Sequence, residues 1–94
     1  MTVEKPEESI PEDLPEEVDD QFVLNVQVDR LKVILSKIDE GDKAVLLMKY
    51  LEEMSIKEMS EALSKSESAI KMKIKRAKHR FKLMYHQQFQ AADE

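Results

Sequence analysis

Residues 55–82 read SIKEMSEALSKSESAIKMKIKRAKHRFK, and the reading of this stretch decides the fold. Ser55 and Glu58 have the spacing of a capping box, in which the serine accepts from the Glu58 backbone and the glutamate reaches back. Ile56, Met59 and Leu63 then share one side of a brief helix that ends near Ser64. Ser66 is placed to cap a longer helix, with Glu67 in the first turn, where a carboxylate suits the helix dipole. This longer helix has two seams. Ile70, Ile74, Ala77, Phe81 and Met84 are apolar; Lys71, Lys75, Lys78 and Lys82 follow one residue later, about 100° around the axis. The spacing predicts one seam against the domain and one facing a partner, the layout of a helix-turn-helix whose second helix does the recognising.

Charge supports that reading. Residues 65–82 hold eight Lys or Arg and one acid, in a chain of net charge −5. A net-acidic protein that gathers its bases on one helix presents that helix to a polyanion. Residues 1–20 are the counterpart, with nine acids and one base. Pro6, Pro11 and Pro15 lie there, and Val3, Ile10, Leu14 and Val18 are scattered aliphatics, too few to offset the entropy of ordering.

Between these zones the pattern is helical. Leu24, Val28, Leu31, Leu35 and Ile38 repeat along one helical face after Asp19 or Asp20 as a cap, and Gly41 is the expected break. Residues 42–53 follow as a second helix, with Val45, Met48 and Leu51 inward and Leu47 and Tyr50 on its flanks. The expected architecture is all-α: an acidic disordered or extended linker at 1–20, a four-helix domain at 21–88 ending in the helix-turn-helix, and a flexible tail at 89–94.

Composition excludes several functions. The chain has no cysteine, so it has neither a disulfide framework nor a cysteine-based zinc site. Its single glycine, Gly41, rules out a glycine-rich phosphate loop. His79 and His86 lack companions for a metal site, and pairs such as Glu52 and Glu53 have no nucleophile beside them. Enzyme activity, a metal and a cofactor are therefore not expected. No apolar run reaches the roughly 20 residues of a membrane span, and the acidic start is unlike a signal peptide, so a cytoplasmic protein is expected.

A helix in the major groove sets its N-terminal turns against base edges while flanking bases touch phosphates. The base-reading candidates are Glu67, Ser68, Lys71, Met72 and Lys75. Lysine can donate to guanine, methionine can pack on a thymine methyl, and Glu67 can accept from cytosine, although it also suits the cap. Lys65, Lys73, Arg76, Lys78 and Arg80 are the phosphate candidates.

Three segments carry a family resemblance: AVLLMKYLE at 44–52, MSIKEMSEAL at 54–63 and SESAIKMKIKRAK at 66–78. Together they resemble region 4 of bacterial sigma factors, most closely the extracytoplasmic-function (ECF) class, over roughly residues 38–82. The resemblance implies binding of the promoter minus-35 element and docking on the β flap of core RNA polymerase. It places Lys71, Met72 and Lys75 at base-reading positions, and Lys73 and Arg76 at backbone-contacting ones. The chain departs from the pattern at Ser64, where glycine is usual, at Lys65, where an aliphatic is usual, and at Met72, where a small residue is usual. The acidic segment would suit the linker that threads the polymerase's positively lined channel, which implies a longer factor with a region-2 domain ahead of it. Two other readings stay open: a free-standing helix-turn-helix regulator of the response-regulator type, and a module that binds an anti-sigma factor.

Overall fold

The computed structural model describes residues 17–90. Its α-helices are α1 (Asp20–Leu24), α2 (Val28–Lys37), α3 (Glu40–Leu46), α4 (Ile56–Leu63) and α5 (Glu67–Tyr85). Wider π turns extend α3 over Leu47–Leu51 and α5 over His86–Gln90. The class is all-helical, as expected. There are five helices among the described residues rather than four, because the first predicted helix is two.

The split has a packing reason. α1 ends at Asn25, and α2 starts after Gln27, which makes no side-chain cap. Breaking there lets α1 lie across α5, so that Phe22 packs edge-on against Phe81 and Tyr85, with ring centroids 6.3 and 5.3 Å apart. Val23 is buried in consequence, while Leu24 and Val28, expected inward, are 53% and 62% exposed. Residues 17–19 also differ from expectation. Val18 is buried, Asp19 accepts from the Gln21 amide as N-cap, and Asp20 is bonded to distant residues. The predicted disorder of residues 1–16 and of the tail from 91 lies outside the described residues. Phe89, assigned to that tail, packs on the core beneath the Arg30 guanidinium, 4.6 Å from its ring centroid.

Gly41 is not the helix breaker. Asp39 caps α3 by accepting from the Gly41 amide, which leaves glycine inside the first turn. Farther along, the π turn changes the phase of the chain, and Leu51, expected inward, is 72% exposed. The core gathers on α5. Ile70, Ala77 and Phe81 are fully buried there, joined by Ile74, and they meet Ile34, Val45, Leu46 and Met59 from the other helices. Burying Phe81 alone contributes about 2–3 kcal/mol. The predicted apolar seam of α5 therefore faces inward, which fixes its opposite face toward solvent.

Candidate nucleic-acid interface

The turn between α4 and α5 is set by local chemistry at both ends. Ser55 accepts from the Glu58 amide at 3.0 Å and Glu58 accepts from the Ser55 amide at 2.8 Å, completing the capping box of α4. At the far end the Lys65 amide donates to the Ser60 carbonyl and the Ser64 amide to the Glu61 carbonyl, a Schellman pattern. That pattern puts Ser64 in the left-handed region, φ 56°, where a side chain is strained and glycine is favoured. The Ser60 hydroxyl bonds to the Lys65 carbonyl and closes the turn from within. Ser66 then caps α5 by accepting from the Ala69 amide at 3.1 Å. The break is thus three residues long, Ser64 to Ser66.

The N-terminal turns of α5 carry the base-reading candidates. Glu67, Ser68 and Lys71 are exposed, and Met72 and Lys75 are half-buried. Met72 sits between two shallow grooves. One is walled by Lys65, Ser68, Lys73 and Arg76; the other by Lys49, Lys71 and Lys75, with Glu17 on its rim. Among the described residues, Lys65, Lys71, Lys73 and Arg76 make no ion pair. The N-terminal half of α5 therefore presents unpaired cations on both sides of one exposed ridge.

The C-terminal half uses its cations differently. Lys78, expected to touch phosphate, is buried: its side chain is 7% exposed, and its Nζ donates to Glu17 Oε2 and Asp20 Oδ1, each at 3.0 Å. The reason is periodicity, since Lys78 is four residues after Ile74 and three before Phe81, on the core side. Burial alone would pull the ammonium down, but the hydrogen bonds it donates to Glu17 and Asp20 outweigh it and hold Lys78 above the ordinary lysine range. Arg80, also expected at phosphate, donates from Nη1 to both oxygens of buried Asp42, at 2.7 and 2.8 Å, fastening α5 to α3. Lys82 lies over the Phe22 ring, 5.7 Å from its centroid. Lys78 is thereby withdrawn from the surface, whereas Arg80, tied to Asp42, keeps 52% of its side chain exposed.

Sequence reasoning missed two parts of this site. Lys49, on the π turn, joins Lys71 and Lys75 in one groove, although nothing in its own neighbourhood marks it. The cluster around Asp20 was also missed. Tyr50 Oη donates to Asp20 Oδ1 at 2.6 Å, and this bond followed by Lys78 keeps the Asp20 carboxyl below the usual range. Burial first, and then the Asp20 bond, push the Tyr50 hydroxyl far above the ordinary tyrosine range. Only the face shared by Lys78 and Ile74 was a readable sign that this lysine turns inward.

A capped short helix, a Schellman turn and a long helix with a basic outer ridge define a helix-turn-helix DNA-binding domain. The sequence model of the family described as Sigma-70, region 4 matches residues 29–81, more than half of the chain. The chain belongs to that family, whose domain is the DNA-binding region of sigma factors and not a catalytic one. No curated protein and no solved structure gives a significant match. Among the described residues, no helix is long and apolar enough to cross a membrane.

Proposed function

We propose that this chain is the promoter-reading domain of an ECF-type sigma factor, entering the major groove of a minus-35 element with the first turns of α5. The observation that carries the proposal is the division of charge along α5. Lys78, Arg80 and Lys82 are engaged by the protein, whereas Lys65, Lys71, Lys73 and Arg76 flank the exposed turns that hold Ser68 and Met72. Ser68, Lys71, Met72 and Lys75 then read bases, with Glu67 serving chiefly as the first-turn carboxylate of the cap. Lys65, Lys73 and Arg76 set the register on phosphates.

Docking on core RNA polymerase belongs to the same proposal. An open apolar groove of about 320 Å³ runs between α1, α2 and the π turn, bordered by Leu24, Val28, Leu31 and Leu51. Three of these side chains are more than half exposed, and they lie away from the α5 ridge. A protein surface can bury them while DNA occupies the ridge. A cytoplasmic setting follows from that role.

The test is selection of duplexes from a random pool on the immobilised full chain, alone and with core polymerase. One unsymmetrical motif is the expected result. Lys71→Ala or Lys75→Ala should cost about 1–3 kcal/mol on that motif and relax specificity. With three phosphate-contacting bases, the salt slope should be about −2.7. No enriched motif in either arm refutes the proposal, and a stable dimer on a palindrome replaces it with the free-standing regulator.

A further inference from the structure

The first turns of α5 carry, opposite the core, one large apolar side chain that the fold does not use. Among the described methionines, Met59 is buried and Met48, Met54 and Met84 pack against the core, whereas Met72 does neither. It lies two residues after Ile70 and two before Ile74, which sets it about 160° from both around the helix axis. Both isoleucines are buried, so Met72 stands on the crest of the outward ridge. On one side it walls a groove with Lys71 and Lys75, and on the other a groove with Lys73 and Arg76. Exposed Ser68 precedes it by one turn on the same crest.

The chemistry of the crest limits what it can read. Base edges in the major groove are donors and acceptors, with one apolar group among them, the C5-methyl of thymine. A thioether has no proton to donate and accepts only weakly. Against a guanine, adenine or cytosine edge, Met72 would strip water from polar groups and return no hydrogen bond. Against the methyl, apolar surface leaves water on both sides of the contact. The unbranched, polarisable side chain can also follow the methyl while the flanking cations set the register.

We propose that Met72 selects a 5-methylpyrimidine at the centre of the recognised element, through the methyl group and not through a hydrogen bond. The inference rests on the base-reading role proposed for α5 and names the base that one position reads. Thymine is the ordinary bearer of that methyl. In 5-methylcytosine the same group projects from the same ring position, so methylation of a cytosine at this site strengthens binding. Burying one methyl group changes affinity by about fourfold. Such a contact discriminates among sequences while the cations supply most of the attraction to the duplex.

The experiment uses the full chain and the duplex enriched by the selection, with each thymine on either strand replaced in turn by deoxyuridine. That replacement removes the methyl and keeps every hydrogen-bonding group. Fluorescence anisotropy at one salt concentration reads the affinities. One central thymine should lose about threefold to fivefold on replacement in the parent, and less than about 1.5-fold in Met72→Ala. Lys71→Ala should bind more weakly and keep the full methyl effect. With cytosine at the sensitive position, C5 methylation should recover about threefold in the parent and nothing in Met72→Ala. Met72 is outside the core, so this variant should keep the urea midpoint of the parent, which separates lost methyl reading from lost folding. Sequence-selective binding without any uridine-sensitive thymine overturns the proposal and leaves base reading by α5 standing. Equal sensitivity in Met72→Ala assigns the methyl to another side chain and overturns it as well. No sequence-selective binding by any of the proteins refutes the base-reading role itself, and the proposal with it.

Discussion

Replacing Lys78 by methionine separates a structural lysine from a DNA-contacting one. Methionine keeps a flexible apolar stem of similar length, so the packing around Ile74 and Phe81 is retained. What disappears is the ammonium held by Glu17 and Asp20. Those carboxylates are 67% and 48% exposed, so both regain water rather than being left stranded, and each lost pair counts as a surface ion pair. At about 0.5–1 kcal/mol per pair, the expected loss is about 1–2 kcal/mol. Alanine removes about three further methylene equivalents, at about 0.8 kcal/mol each, bringing the loss to about 3–4 kcal/mol. Urea unfolding followed by circular dichroism reads both values. With a slope of about 1 kcal/mol per molar urea, the methionine variant should unfold about 1–2 M earlier. Its DNA binding should keep the salt slope of the parent. Unchanged stability together with a slope reduced by about 0.9 would show that Lys78 contacts phosphate, and would refute the inward role.

Three further outcomes follow from the same geometry. Ser64→Gly should raise stability by about 0.5–1 kcal/mol in thermal or urea unfolding, because φ 56° strains serine and not glycine. Met59→Ala, at a fully buried position between α4 and α5, should cost about 2–5 kcal/mol in the same unfolding measurements. Tyr50 keeps its proton in the folded state above the pH of about 10 at which the unfolded chain releases it, so folding holds more protons and stability falls as pH rises from there. Lys78, also raised, contributes fully below about 10.4 and loses that contribution as pH rises through its folded value, so both groups act in one direction. Tyr50→Phe should therefore flatten the alkaline limb of a stability–pH curve by up to about 1.4 kcal/mol per pH unit, and an unaltered limb would contradict the bond to Asp20.

The parts of this domain that could be read from sequence were those written within one or two helical turns. The caps at Ser55 and Ser66, the end of α4 at Ser64 and the inward seam of α5 all depend on residues no more than four apart. The parts that escaped join distant positions. Lys78 meets Glu17 across 61 residues, Arg80 meets Asp42 across 38 and Tyr50 meets Asp20 across 30. Counting bases on α5 located the ridge but treated every cation as available, and only tertiary contacts separate those that face a ligand from those that fasten helices. The break after Leu24 was hidden for a similar reason: an unbroken apolar repeat was present, but stacking Phe22 on α5 required a change of direction.

The π turn at Leu47–Leu51 acts as a phase offset between two halves of the domain. A turn closed by i→i+5 bonds takes up about one residue more than an α-turn, a slip of about 100°. Downstream of it, Tyr50 points at Asp20 and Leu51 points outward; without it, the same letters would face other neighbours. Deleting one residue here would preserve the heptad-like spacing on either side and leave the composition almost untouched. It would nonetheless break the Tyr50–Asp20 bond and leave the entering chain held to α5 by Lys78 and the Phe22 stack, so one of those ties depends on one supernumerary residue.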